Sequence, residues 1–238
     1  MRFYRSLGDI QALSFDLDDT LYDNMPVIIR AEKLLTAWLA NRNPALSAFS
    51  TDEMKAFKLR AIAEDPARRF HVTESRRHQL RLAALATGMP GEAAAELADE
   101  AVAYFLAERS RVDVPRETFD TLEALGKAFP LVAITNGNVD IDAIGLSPYF
   151  DFAFKAGFDG AAKPAADMFA KTEAALGIPG SAILHIGDHL VSDVLGARKA
   201  GFRACWYNHE KNRQLKAQRV AVLPDVEIGE ISALLTLL

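Results

Sequence analysis

A disulfide framework is excluded at once, because the 238 residues contain a single cysteine, Cys205. Zinc loses its usual ligands for the same reason, since one cysteine and five scattered histidines offer no recognised ligand spacing. Long apolar runs are missing too, so no bilayer span is expected. Met1 to Gly8 brings two arginines with no apolar segment behind it, which speaks against a secretory leader. Basic charge is in deficit: 27 Lys and Arg face 32 Asp and Glu, and a net charge of -5 argues against nucleic acid as a partner. The expectation is a soluble, cytoplasmic protein, a monomer or weak homodimer, acting on a small molecule. Half of the residues are hydrophobic, enough for one full α/β core and a small accessory domain.

Acidic residues at one particular spacing are what the chain does have. Ile10 to Phe15 reads as a strand entering a buried sheet, and Asp16 and Asp18 follow it two positions apart. Along extended chain such residues project together. Two anions side by side repel by roughly 4 kcal/mol at about 4 Å and an effective dielectric near 20. The pair therefore calls for a cation or a shared proton, and a hard divalent ion such as Mg2+ suits oxygen ligands. A strand ending in acidic turn residues is common enough to be the bland alternative, but three more polar clusters follow apolar runs. They are Thr135-Asn136-Gly137-Asn138 after Leu131 to Ile134, Lys163-Pro164 before an amphipathic segment, and Gly187-Asp188 after Ala182 to Ile186, with Asp193 beyond.

Each residue type has work to do at a phosphate. Asp16 is the candidate nucleophile, and Asp18 the acid that protonates the leaving oxygen and then activates water. Thr135 and the backbone N–H of Asn136 can hold phosphate oxygens where a helix begins. Lys163 offsets the repulsion between Asp16 and the incoming phosphate. Asp188 completes an oxygen shell for the metal with Asp16 and a main-chain carbonyl, that of Asp18, and Asp193 stands behind them orienting metal waters.

The order DLDDT, ITNGN, the lysine of AAKPAADMF and GDHLVSD resembles the four motifs of the haloacid dehalogenase superfamily, across nearly the whole chain. The resemblance implies a Rossmann-like core, a parallel sheet with helices on both faces, and an aspartyl-phosphate mechanism with Mg2+ or, in its place, Mn2+. MRFYRSLG, ALSFDLDDTLYDN, PLVAITNGN and Ala204-Cys205-Trp206 resemble more closely the helical-cap members that act on FMN and 5-amino-6-(5-phospho-D-ribitylamino)uracil. That implies dephosphorylation of a ribityl phosphate in riboflavin biosynthesis. A broad sugar or nucleotide phosphatase is the alternative within the family. A 2-haloacid dehalogenase would also use Asp16, yet it needs neither Asp18 nor Asp188. A phospho-accepting signalling module is disfavoured by a chain about twice the length of a receiver domain.

Apolar residues from Val27 to Leu39 recur at helical spacing, Ser50 and Glu53 form a capping-box pair, and further helices are expected over Thr73 to Ala86 and Glu92 to Glu108. Residues 24–112 thus read as an inserted helical cap above the strand tips, with 1–23 and 113–238 as the catalytic core. From Pro115 onward helix and strand alternate, which predicts a parallel sheet whose ligands lie beyond the carboxyl ends of its strands. Asp19 reads as a turn residue, His185 as a core histidine and His189 as an exposed loop histidine. The basic group from Arg68 to Arg81 reads as a solvated helix face, and Cys205 and Trp206 as structural.

Overall fold

The computed structural model describes residues 1–209 and 222–238. Seven strands form one sheet: β1 (Arg2–Phe3), β2 (Ala12–Phe15), β3 (Leu131–Thr135), β4 (Phe152–Lys155), β5 (Ile183–Gly187), β6 (Arg203–Tyr207) and β7 (Val226–Ile228), in the spatial order β1-β7-β6-β5-β2-β3-β4. Every pairing is parallel except that of β1 with β7. Strand β2 lies between β5 and β3 and is buried at all four positions, as a strand covered on both faces should be. The antiparallel edge strand was not anticipated, because two exposed residues carry no periodic signal.

Side-chain alternation sorts the sheet into two faces. Ala12, Val132, Ile134, Ile183, Ala204 and Trp206 cluster with Met168 and Phe169 of helix α6 (Asp167–Leu176) and Ala197 of helix α7 (Gly196–Lys199). Leu13, Phe15, Leu131, Leu184, Ile186 and Cys205 have the opposite parity and are equally buried. Helix α5 (Arg116–Gly126) and the 3-10 helix Ile231–Leu237 pack together and bury Leu122, Leu125 and Leu234, supplying the other helical layer. This terminal segment is a 3-10 helix, wound more tightly than an α-helix.

Fully buried Asp225 ties the far edge of the sheet together. Arg198 Nη1 lies 2.9 and 3.0 Å from its two carboxylate oxygens, and the Ala204 N–H donates to Oδ2 at 2.9 Å. Its main-chain oxygen accepts from the N–H of Tyr4 at 2.8 Å and of Arg5 at 3.2 Å. Asp225→Ala is expected to cost about 3 kcal/mol, toward the low end for a broken buried pair because Arg198 reaches water. For a chain of this size that lowers Tm by about 6 to 12 °C, which a thermal melt would measure.

Chain contacts divide the molecule into two compact units, one of Met1–Asp23, Asp113–Gly137 and Ile141–Leu238, the other of Asn24–Val112 and Asn138–Asp140. The second unit is helical: α1 (Met25–Arg42), α2 (Thr51–Glu64), α3 (Val72–Ala86) and α4 (Gly91–Arg109). Its core joins Leu35, Leu39, Leu80, Leu97, Val102 and Phe105. Ser50 and Glu53 form the expected capping box. Asn138–Asp140 belongs here through the Asn138 amide, which donates to Thr73 Oγ1 at 3.2 Å, and the Asp140 N–H, which donates to Ser110 Oγ at 3.0 Å. Most of the basic group is paired within the unit: Arg68 with Asp65, Arg76 with Glu32, Arg77 with Glu74 and Asp99, His78 with Glu64. Among the described residues no helix is long and apolar enough to cross a membrane.

Candidate active site

Four strand ends place the candidate residues. The Asp16 N–H donates to Ile186 O at 2.8 Å, extending the β2–β5 ladder one residue beyond β2. The chain then turns sharply: the Leu21 N–H reaches Leu17 O at 2.9 Å, and Asp19 takes φ 59°, a left-handed conformation that aspartate tolerates better than most residues. Asp19 is thus a turn residue. The turn returns Tyr22 beneath Asp18, where the phenol donates to Asp18 Oδ1 at 2.6 Å. Sequence reasoning passed over Tyr22, although the spacing of four across a turn was a signal that the two could meet.

The loop after β3 meets the same carboxylate. A Cβ at Gly137 would lie 2.3 Å from Asp18 Oδ2, so glycine is what lets this backbone approach. Thr135 Oγ1 accepts the Gly137 N–H at 2.9 Å. No helix begins here, contrary to expectation; bends and turns follow β3. The Asn136 side chain instead clasps the main chain of Lys163, accepting its N–H at 2.7 Å and donating to its carbonyl at 2.9 Å. An asparagine spent on that clasp holds the loop to Lys163 in place of a helical turn.

Lys163 is buried and has an acceptor for each of its three ammonium protons: Asp16 Oδ1 at 2.9 Å, Asp193 Oδ1 at 2.7 Å and Ile134 O at 2.6 Å. Burial alone would pull its pKa down, but the Asp16 and Asp193 carboxylates outweigh burial and raise it. Burial likewise works to raise Asp193, yet Lys163 and His185 hold that carboxyl well below the usual range. Asp16 goes the other way: burial pushes it up to about 7, against the pull of Lys163 and with the help of the Asp193 and Asp18 charges. Asp188 is pushed up to about 8 by burial and then by Asp193 and Asp16.

Asp188 is set by its neighbours. Its N–H donates to Thr20 Oγ1 at 3.1 Å, and the Trp206 indole donates to its carbonyl at 2.8 Å. The segment beyond it, where the sequence pattern predicts a helix over Asp193 to Ala200, winds as a π-helix over Leu190–Leu195 and continues as α7. His189 caps that turn: Nδ1 accepts the N–H groups of Val191 at 3.2 Å and Ser192 at 3.0 Å. It is therefore a half-buried cap, where the sequence suggested an exposed loop residue. The wide π-turn folds Asp193 back against Gly187, where a Cβ would lie 2.3 Å from Asp193 Cγ.

Among the described residues, carboxylate oxygens of Asp16, Asp188 and Asp193 lie within 4.8 Å of one another. The expected metal ligands were Asp16, Asp18 and Asp188, with Asp193 behind them. The Asp18 carboxylate accepts from the Tyr22 phenol, and Asp193 is ion-paired with Lys163. Three buried carboxylates face the one ammonium that the described ion pairs give them. Burial, with the neighbouring carboxylates adding to it, pushes two of them, Asp16 and Asp188, above the ordinary carboxyl range. An all-oxygen set with that deficit fits a hard divalent cation.

Comparison with known proteins agrees with this arrangement. A family model described as haloacid dehalogenase-like hydrolase matches residues 10–201. The chain is 41% identical over 238 residues, all of both chains, to the 5-amino-6-(5-phospho-D-ribitylamino)uracil phosphatase YigB of Escherichia coli K12. A crystal structure named as the 2-haloacid dehalogenase of Pseudomonas syringae pv. tomato DC3000 superposes with TM-score 0.88 and 39% identity over 94% of this chain and 96% of that one. The magnesium-bound HAD-hydrolase YfnB of Bacillus subtilis shares the fold at TM-score 0.63 and 23% identity, over 96% and 98% of the two chains. With that family model matched over residues 10–201 and a 41% identical relative aligned over its full length, the chain belongs to the haloacid dehalogenase-like hydrolase family.

Proposed function

We propose that this phosphatase of the haloacid dehalogenase-like family cleaves phosphomonoesters through an aspartyl-phosphate on Asp16, and that its substrates include 5-amino-6-(5-phospho-D-ribitylamino)uracil and FMN. The observation that carries the reaction class is the buried Asp16–Lys163–Asp193 ion group with Asp188 beside it. An Asp16 carboxylate oxygen attacks phosphorus, the ester oxygen leaves with a proton from Asp18, and the phosphoryl group rests on Asp16. Water then attacks that phosphorus while Asp18 takes its proton, releasing inorganic phosphate and restoring both carboxyl groups. Tyr22 holds the Asp18 carboxyl in place, and Gly137 lets the phosphate-binding loop approach it. Thr135 and the Asn136 N–H hold phosphate oxygens, and Lys163 keeps Asp16 and the phosphate from repelling each other. Mg2+, or Mn2+ in its place, held by Asp16, Asp188 and the main-chain carbonyl of Asp18, supplies the positive charge that the carboxylates and the phosphate both need.

Carbon–halogen displacement is the competing chemistry, since the similar Pseudomonas structure bears that name. It would use Asp16 alone and leave Asp18 and the buried Asp188 without a purpose. The motif residues touch only what all phosphomonoesters share, so they do not themselves choose among substrates. A screen of the purified protein should show the ribitylaminouracil phosphate and FMN turned over with higher kcat/KM than simple sugar phosphates, and no halide released from 2-chloropropionate. A flat profile would leave only the general phosphatase, and halide release without phosphate release would overturn the reaction class.

Cation binding has its own signature. Without metal, Asp16 and Asp188 stay largely protonated below about 7 and about 8. Unfolding returns each to an ordinary carboxyl at 3.8, so the unfolded state binds fewer protons and metal-free stability falls as pH rises toward 8. His185, held down to about 4 from 6.5, works in the opposite sense below pH 6.5, so the window to use is 6.5 to 8. Mg2+ displaces those protons and should therefore raise Tm more at pH 8 than at pH 6.5. At a hundredfold excess over Kd the gain is about 2.7 kcal/mol, or about 5 to 11 °C. Equal shifts at both pH values, or none, would remove the carboxylates as its ligands.

A further inference from the structure

Strand register sets Ser14 of β2 directly beside His185 of β5, on the sheet face that carries α6. Both are buried, and the mechanism above uses neither. Ser14 Oγ lies 2.9 Å from His185 Nδ1, His185 Nε2 lies 3.3 Å from Asp193 Oδ1, and Phe169 meets the imidazole edge-on at 5.1 Å between ring centres. Two polar side chains inside an apolar parallel sheet cost stability that Val or Ala at the same places would not. Their hydrogen bonds all lead toward Asp193, the residue that receives Lys163.

We propose that Ser14 and His185 are positioning residues for the reaction assigned above, holding Asp193 in the rotamer that seats the Lys163 ammonium against Asp16. The inference rests on that reading of Asp16 and Lys163. Donor directions are forced along the row. An ionised Asp193 can only accept, so Nε2 of His185 carries the hydrogen, and a neutral ring with a protonated Nε2 must accept at Nδ1 from the Ser14 hydroxyl. Asp193 Oδ1 then receives His185 and Lys163 together, while Oδ2 takes the His189 N–H at 2.9 Å. Lys163 has no donor left over with which to wander. Remove the imidazole, and Asp193 can rotate about its Cβ–Cγ bond, carrying the ammonium away from the Asp16 oxygen 2.9 Å distant.

The pair is tested in two independent ways. Nitrogen-edited NMR of the wild-type protein reads the tautomer with no substrate and no variant: a protonated Nε2 with an unprotonated, hydrogen-bonded Nδ1 is expected, and a protonated Nδ1 overturns the proposal. Kinetics with p-nitrophenyl phosphate then compare Ser14→Ala, His185→Leu, His185→Gln and Leu234→Ala, the last a core change in the C-terminal 3-10 helix far along the chain. His185→Leu should lose roughly tenfold to a hundredfold in kcat with KM little changed, as is typical when a partner of an active group is removed. His185→Gln, whose amide can still donate to Asp193, should recover much of that loss, and Ser14→Ala should fall in the same direction. Leu234→Ala should lower Tm without lowering kcat. If the kcat losses merely follow Tm across all four, the pair is only structural and the proposal fails. Should His185→Leu not fold, Ser14→Ala and the tautomer decide. A wild-type protein without phosphatase turnover would defeat the assigned reaction, and the tautomer would still report on the pair.

Discussion

Turnover is expected to fall by roughly 10^4-fold or more in Asp16→Asn, with the fold intact. The amide has the shape of the carboxyl group but cannot accept a phosphoryl group and release it to water. Structure gives a reason to expect little loss of stability. Burial already pushes the Asp16 carboxyl up to about 7, so a neutral side chain there replaces a charge the site disfavours, and Lys163 keeps Asp193 and Ile134 O as acceptors. Metal-free Tm at pH 8 should therefore match or exceed that of the wild type. Asp18→Asn should behave differently. Esters with poor leaving groups should slow far more than activated aryl phosphates, because only the former need the proton that Asp18 supplies. Turnover near wild type in Asp16→Asn, or equal losses on both ester classes in Asp18→Asn, would each remove one aspartate from its assigned role.

What the chain order makes legible, and what it hides, follows from the range of the interactions. Apolar runs ending in Asp16, Thr135 and Gly187-Asp188 mark strand ends directly, because a buried parallel strand needs a continuous apolar run and a site needs polar residues past its end. Lys163 is legible because a lone lysine before an amphipathic segment stands out. The clasp of Asn136 on Lys163, separated by 27 residues, is invisible in sequence because either partner alone is an ordinary loop residue. Gly137 is similar: its need for glycine arises from Asp18, which belongs to a different strand end. His185 reads as a core histidine and is one, but its row of hydrogen bonds depends on the register of β2 against β5, which periodicity does not specify. After β3 no helix begins, and Asn136 there binds the main chain of Lys163, a contact that sequence does not show. The helix expected over Asp193 to Ala200 is an α-helix only from Gly196 on; its first turn winds as a π-turn, with Asp193 folded against Gly187.

Lys163→Met should be the most disruptive single change for activity and stability together. The methionine fills a comparable volume but leaves Asp16 and Asp193, both buried, facing each other with no ammonium between them. Breaking a buried pair by removing one partner costs about 3 to 5 kcal/mol. The pH dependence separates this from a packing defect. In the wild type Lys163 holds Asp193 well below the usual carboxyl range; without it, burial is left to raise that group as it already raises Asp16. A carboxyl whose folded pKa is raised contributes stability at low pH and loses it as pH climbs through the folded value. The gap in Tm between wild type and Lys163→Met should accordingly widen from pH 5.5 to pH 8, whereas a simple cavity would cost the same at both. Turnover should fall by roughly 10^2 to 10^3-fold, the usual loss when a charge-stabilising group is removed from a water-poor site. Lys163→Arg should rescue little, because three acceptors converge on the single Nζ and a planar guanidinium cannot meet all of them from one atom. A Tm gap independent of pH, or an arginine variant with nearly full activity, would mean that the ion group at the strand tips is not what holds Asp16 ready to attack.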